Sequence, residues 1–382
     1  MTVCSLTPSR IREIANAGFG KPDVLRLWFG ESDQPTPAFI REAGMQALAE
    51  GKTFYAHNQG VAELREALSS YLTQLHDRTF DVERLCVTSS GVSALMLAAQ
   101  AIVEPGDRVV VVTPVWPNVT EIPRILSAQV VRVALAPVGG EWRLDLDQLL
   151  DAITPDTRLV IVNSPGNPTG WTLSGAQQAA LLEHCRRLGT WLITDDVYER
   201  LILDESQAVA PSFLRLADPE DRVISANSFS KAWLMTGWRL GWLVTPSELS
   251  AELGKLIEYN TSCAPEFVQV AGIVALRHGE THVAKLRSEL VAKRDRLLQR
   301  LRALPGVEAT LPRGGMYVLL RLAGHADSMK LARQLIGEAG LGLAPGAAFG
   351  PEAEGWLRCC FAVADTSLDD AADRLGRWLT SQ

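Results

Sequence analysis

Between residues 63 and 245 amphipathic stretches, with apolar residues three and four apart, alternate with short continuous apolar runs. The first kind buries one stripe of a helix; the second suits a strand covered on both faces. ELREALSSYLTQL (63–75), SALMLAAQAI (93–102) and AQQAALLEHCRRL (176–188) predict helices. RLCVTSS (84–90), DRVVVVTP (107–114), AQVVRVAL (128–135), TRLVIVNSP (157–165), TWLITDD (190–196), DRVISANSFS (221–230) and LGWLVTP (240–246) predict strands. Strands alternating with helices over this length mean an α/β fold: a mostly parallel sheet sandwiched by helices.

The pattern changes near Ala264-Pro265. One long helical stretch runs from there to about Leu304, rich in Arg, Lys and Glu. VEATLP (307–312) and GMYVLLRL (315–322) then read as strands able to pair. Helices around 327–340 and 367–379 flank a further strand, WLRCCFAV (356–363). The expected organisation is an N-terminal arm over 1–30, a large domain over 31–264, and a long linking helix with a smaller α+β domain over 265–382.

Composition narrows the class. Of 382 residues 47% are hydrophobic and 21% charged, as in globular chains. The net charge of −7 argues against counterion-driven nucleic-acid binding. No apolar run approaches the ~20 residues of a membrane span, and MTVCSLTPSRIREIANAG lacks the apolar stretch of a secretory signal. The six cysteines show no CxxC and no metal-ligand spacing with histidine, so reduced thiols, a cytoplasmic location and no metal are expected.

In sheets of this kind ligands sit beyond the carboxyl ends of the strands. Four such ends carry chemistry: Ser90-Gly91-Val92 opening a helix, SPGNPTG with Asn163 and Asn167, Asp195-Asp196-Val197-Tyr198, and Ser228-Phe229-Ser230-Lys231 followed by Arg239. Each alone is weak, because NPTG is more often a turn, and an acid or serine there is commonly a helix cap. Lys231 is the informative residue. Only seven of the 37 basic residues are lysine, and this one lies among small and aromatic neighbours, SFSKAWLMTGW. A lysine in a low-polarity site has a lowered pKa and attacks carbonyls as an amine. Taken together the set requires an aldehyde for Lys231, a phosphate for Ser90, Gly91, Ser228 and Arg239, a ring nitrogen for Asp195, and a ring hydroxyl for Asn167 and Tyr198. Pyridoxal 5′-phosphate carries all four groups.

From LRLWFGESDQPTP through YAHNQGVAELREAL, NSPGNPTG, DDVY and SFSKAWLMTGWRLGW to WLRCCFA, the chain resembles a class I/II aminotransferase. That is a fold type I pyridoxal-phosphate enzyme of the aspartate aminotransferase superfamily. The resemblance implies that Lys231 bonds the cofactor and later moves the proton, and that Asp195 keeps the pyridine nitrogen protonated. It places Tyr198 and Asn167 on the phenolic oxygen and Trp116 on the ring face. Arg239, Ser228, Ser90 and the amides of Gly91 and Val92 fall to the phosphate. Tyr55 matches a tyrosine that reaches the neighbouring subunit's phosphate, which implies a homodimer with composite sites. Arg358 matches the arginine that clasps the substrate α-carboxylate, with Asn167 and the backbone at Gly30 nearby. Asp196 departs from the family's usual glutamate, with little consequence expected.

The implied reaction moves an amino group from an L-amino acid to a 2-oxo acid by a ping-pong mechanism. A carbon–sulfur β-lyase on the same fold is the alternative. Val92 stands where some aspartate-using relatives carry a lysine, and Trp28, Phe29 and Trp116 offer ring surface. A neutral, apolar or aromatic donor is therefore expected, because a carboxylate left unpaired there would lose its hydration. His278 and His282 do not form HExxH and read as a solvated helix face.

Overall fold

The computed structural model describes residues 6–382. A seven-stranded sheet forms its centre. From one edge to the other the strands are Leu85–Thr88, Gly241–Val244, Val223–Ser228, Trp191–Asp195, Thr157–Asn163, Arg108–Thr113 and Gln129–Ala134. Five neighbours run parallel. Gly241–Val244 alone is antiparallel to both strands beside it. The strands read as continuous apolar runs because both faces are covered: Val109 and Val111 face one helical layer, Val110 and Val112 the other.

A four-stranded antiparallel sheet follows, in the order Val307–Ala309, Tyr317–Leu322, Trp356–Cys360, Ala344–Pro345. Helix Asp365–Thr380 lays its apolar stripe (Leu368, Ala371, Leu375, Trp378) into the same core.

Two expectations need correction. The N-terminal stretch is not only an arm: Arg10–Gly18 is a helix capped by the Ser9 hydroxyl, burying Ile11, Ile14 and Ala15. Ser9 followed by apolar residues three and four apart was the available signal. The long helix after Pro265 is two, Glu266–His278 and Glu280–Arg302, meeting at Gly279. A Cβ on Gly279 would lie 2.2 Å from the Ala275 carbonyl oxygen and 2.6 Å from the Trp233 indole nitrogen, so the break is packed against a tryptophan. His278 and His282 consequently belong to different helices. No helix among the described residues is long and apolar enough to cross a membrane, and none of their His, Cys, Asp and Glu side chains group as a metal site.

Candidate active site

Sheet register brings the strand ends together. Asn163 pairs with Asp195, Asp195 with Ala226, and Gly241 faces Ser228 on one side and Thr88 on the other. Beyond these ends lies a cavity of about 440 Å³. Its floor is the start of helix Gly91–Gln100, where Gly91 and Val92 line the cavity. A Cβ on Gly91 would stand 2.9 Å from that of Ser228, so only glycine lets the two segments meet. Amides at the first turn of a helix, with the dipole behind them, favour an anion. Arg239, half-exposed at the rim, adds charge; its guanidinium donates to the Thr236 carbonyl at 2.7 Å.

Lys231 reaches into the cavity and donates to the backbone carbonyl of Gly30. Its ammonium lies 5.9 Å from the centre of the Tyr198 ring. Burial pushes its pKa down to about 8, with Arg358 adding to the effect and Glu31 opposing it. Asp195 is 5% exposed, and among the described residues its carboxylate accepts only from the distant Val197 amide, at 3.4 Å. Burial pushes it up to about 7, with Asp196 adding and Lys231 opposing. A carboxylate buried without a close cationic partner is a group waiting for one.

Asp196 does not share the cavity. It accepts from the Thr194 and Ser225 hydroxyls at 2.7 and 2.6 Å inside the sheet. Burial raises its pKa, and Glu199 adds to the rise.

Arg358 closes the opposite end. It is 2% exposed and donates to Asn167 Oδ1 at 2.8 Å and to the Trp28 carbonyl. Its Nε has no partner among the described residues. The guanidinium plane lies between Tyr317 and Phe349, at 4.3 and 4.8 Å from the ring centroids. A planar fork held this way offers a carboxylate a fixed grip. Asn167 is itself tied in: its backbone N–H donates to Asn163 Oδ1 at 2.8 Å, and its carbonyl accepts from the Trp116 backbone N–H.

The cavity thus gathers Lys231, Asp195, Tyr198, Asn167, Trp116 and Arg358, together with Gly30, Gly91, Val92, Ser228 and Arg239. Ser90 and Tyr55 do not line this cavity, and of the two only Ser90 was expected at the chain's own site. The Ser90 hydroxyl accepts from the Ser93 amide at 3.0 Å, so it caps the helix and does not line the cavity. Tyr55 points to solvent at 89% exposure. Trp28, expected as pocket surface, is fully buried against Gly18 and Gly342 and lends only its carbonyl. The cavity adds Tyr317, with Ile11 and Arg12 from the first helix, and it includes Asn163 and Ser230, which the strand ends named without a role. The glycine pair Gly314-Gly315 just ahead of Met316-Tyr317 was the one hint at Tyr317, and the Ser9 cap the one hint at Arg12.

An anion cradle, a lysine amine of lowered pKa, a lone buried carboxylate and a stacked arginine suit pyridoxal phosphate and an amino-acid carboxylate. The model of the family "Aminotransferase class I and II" matches residues 22–375. An aspartate aminotransferase of Pyrococcus horikoshii is 33% identical, over 98% of this chain and 95% of its own. An aspartate/prephenate aminotransferase of Thermus thermophilus is 35% identical, over 94% and 91%. An Escherichia coli structure titled for a methionine aminotransferase function superposes with a TM-score of 0.92 at 27% identity, covering 99% of this chain and 98% of that one. The chain therefore belongs to the class I and II aminotransferases, fold type I enzymes that work with pyridoxal 5′-phosphate.

Proposed function

We propose that this aminotransferase takes its amino group from a neutral, apolar or aromatic L-amino acid and passes it to a 2-oxo acid by a ping-pong cycle. The observation that carries the reading is one cavity that brings the Lys231 side chain together with Arg358 and Asp195; burial lowers the lysine's pKa to about 8. When bound, pyridoxal phosphate supplies an aldehyde for the amino group and a ring that spreads negative charge. Asp195 would pair with the ring nitrogen, and Tyr198 and Asn167 would hold the ring hydroxyl. Gly91, Val92, Ser228 and Arg239 would hold the phosphate, and Trp116 would pack on the ring. Arg358 grips the α-carboxylate, which orients the Cα hydrogen. Lys231, neutral in a useful fraction near pH 8, accepts that proton and returns it. The β-lyase alternative is not favoured, since the relatives are named as aminotransferases.

For the donor side chain the cavity offers Phe29, Val92, Leu95, Ile11 and Trp116. Apolar contact there gains about 25 cal/mol per Å² buried. A second reading rests on Arg12, whose guanidinium lines the same cavity 5.1 Å from the centre of the Phe29 ring. It has no carboxylate within ion-pair distance among the described residues and would suit a dicarboxylic donor. The test is kcat/KM for phenylalanine, leucine and methionine against aspartate. A clear preference for aspartate, lost in Arg12→Met, sinks the neutral reading and establishes the second.

A homodimer with composite sites is part of the proposal. Phe54, Tyr55 and Tyr259 are 79%, 89% and 91% exposed, and large apolar side chains left this open suit burial against a second copy. The division between a large domain over 31–264 and a smaller one over 265–382 is supported by the two larger sheets, and the arm over 1–30 carries the helix Arg10–Gly18. A cytoplasmic location fits the free cysteines among the described residues.

A further inference from the structure

Tyr317 opens the strand Tyr317–Leu322, and the register sets Leu319 opposite Arg358 on the neighbouring strand. Tyr317 is therefore the diagonal neighbour of Arg358 on the same sheet face, which puts its ring against the guanidinium. Its hydroxyl turns the other way and lies 2.6 Å from that of Tyr198. The two rings meet edge to face, at 5.8 Å and 77°. One side chain thus touches the group assigned to the cofactor's ring oxygen and the group assigned to the substrate carboxylate.

The backbone makes room for this contact. A Cβ on Gly30 would stand 1.8 Å from the Tyr317 hydroxyl oxygen. The carbonyl of that same glycine accepts from Lys231. Gly30 is thus required by Tyr317 as well as by whatever approaches its backbone.

The hydroxyl pair has a simple proton count. Both tyrosines are fully protonated at neutral pH: burial pushes Tyr317 up to about 12 and Tyr198 well above its ordinary value. Their mutual bond uses one of the two hydroxyl hydrogens and leaves the other to be placed. If Tyr198 were the donor in the pair, it would have no hydrogen for a ligand. If Tyr317 donates, the Tyr198 hydrogen is free to point into the cavity, and the chain of two bonds strengthens its donation.

We propose that Tyr317 is a positioning residue of this aminotransferase: it donates its hydroxyl hydrogen to Tyr198, so that Tyr198 donates to the cofactor's ring oxygen, while its ring face fixes Arg358 for the substrate carboxylate. The inference rests on the reading of Tyr198 and Arg358 given above. Hydrogen bonds donated to an oxygen favour its anionic form, so the two-tyrosine chain lowers the pH at which the bound cofactor loses its proton.

The experiment is an absorbance titration of the holoenzyme, read beside steady-state kinetics. Tyr317→Phe keeps the ring and deletes the hydroxyl. The cofactor's spectral midpoint should rise by about half to one pH unit, the effect of one weakened hydrogen bond, with KM for the amino acid within about twofold. Tyr317→Leu should show the same rise and, having lost the stack on Arg358, raise KM by roughly tenfold or more. Gly30→Ala, which pushes the hydroxyl away, should reproduce the spectral shift. In the Tyr198→Phe background Tyr317→Phe should add almost nothing, because the effect passes through Tyr198. An unchanged midpoint in Tyr317→Phe, or shifts that simply add in the double variant, overturns the inference. Wild-type protein that binds cofactor and is converted by amino acids, beside an unshifted Tyr317→Phe, rejects Tyr317 alone. Wild type without that conversion rejects the underlying reading.

Discussion

Gly241 stands directly beneath Gly91. A methyl group on Gly241 would lie 2.7 Å from the Gly91 amide nitrogen, and equally close to the Ser90 carbonyl carbon and the Asn227 carbonyl oxygen. All three are backbone atoms, so no flexible side chain can yield. The anion cradle is set by this contact between an antiparallel strand and a helix start. Ser90 holds the same turn at φ 150°, a conformation that favours glycine, and its hydroxyl caps the helix there.

Gly241→Ala should therefore displace the first turn of helix Gly91–Gln100. Overpacking of this kind costs about 1–3 kcal/mol in stability. Affinity for pyridoxal phosphate should fall by roughly tenfold or more, since amide positions matter to a fraction of an ångström. Fluorescence titration of the cofactor-free protein measures it, and wild-type affinity in the variant would refute the role given to this contact.

Lys231→Ala should bind the cofactor without a covalent link and lose transamination. The phosphate cradle and Asp195 do not depend on the lysine side chain, so retention through dialysis is expected. Borohydride treatment of wild-type holoenzyme followed by peptide mapping should label Lys231. A label on Lys21, Lys52 or any other lysine ends the assignment.

Much of this arrangement is legible in the sequence, and the limits are physical. Lys231 stands out because lysine is scarce here and its neighbours are apolar, so environment and identity disagree. Asp195 and Ser228 close their strands and Asn167 follows one, where the α/β topology leaves little choice of position. Tyr317 is hidden because a tyrosine at the start of an apolar strand looks like core, and its function comes from an antiparallel register the local pattern does not specify. Trp28 misleads for the converse reason: two glycines far apart in the chain, Gly18 and Gly342, open a slot that buries it. Gly279 splits a helix that periodicity alone would carry through, because Trp233 fills the space a side chain would need.

Asp195 gives the cofactor-free protein a pH signature of definite sign. Its folded pKa, about 7, lies above the ordinary carboxylate value, so the folded state binds more protons between roughly pH 4 and 7. Stability from this group is full below that window and is lost as pH rises through it. Asp195→Asn removes the effect. The stability of the variant relative to wild type should grow from pH 4 to pH 7, by a few kcal/mol in order of magnitude. Lys231 acts in the next window: its folded pKa of about 8 lies below 10.5, so its contribution recovers as pH rises between these values. Urea unfolding of both cofactor-free proteins across this range is the measurement. A pH-independent difference between them would show that Asp195 is not held as a buried acid.

Tyr55 allows a test in which activity should rise on mixing two damaged proteins. It is exposed in the single chain and absent from that chain's own cavity. If it reaches the phosphate of a neighbouring subunit, a Tyr55→Phe homodimer has two weakened sites and a Lys231→Ala homodimer has two dead ones. Exchange between them produces hybrids. In one hybrid site the absent lysine and the altered tyrosine coincide, and that site is dead. The other combines an intact Lys231 with an intact Tyr55 from the Lys231→Ala subunit, and it should run at the wild-type rate per site. An equimolar mixture should therefore exceed the mean of its two components after exchange and match it before. If Tyr55 instead served its own chain, every hybrid would pair one weakened site with one dead site. The mixture would then never rise above the mean, and a fully active monomer in sedimentation would rule out composite sites altogether.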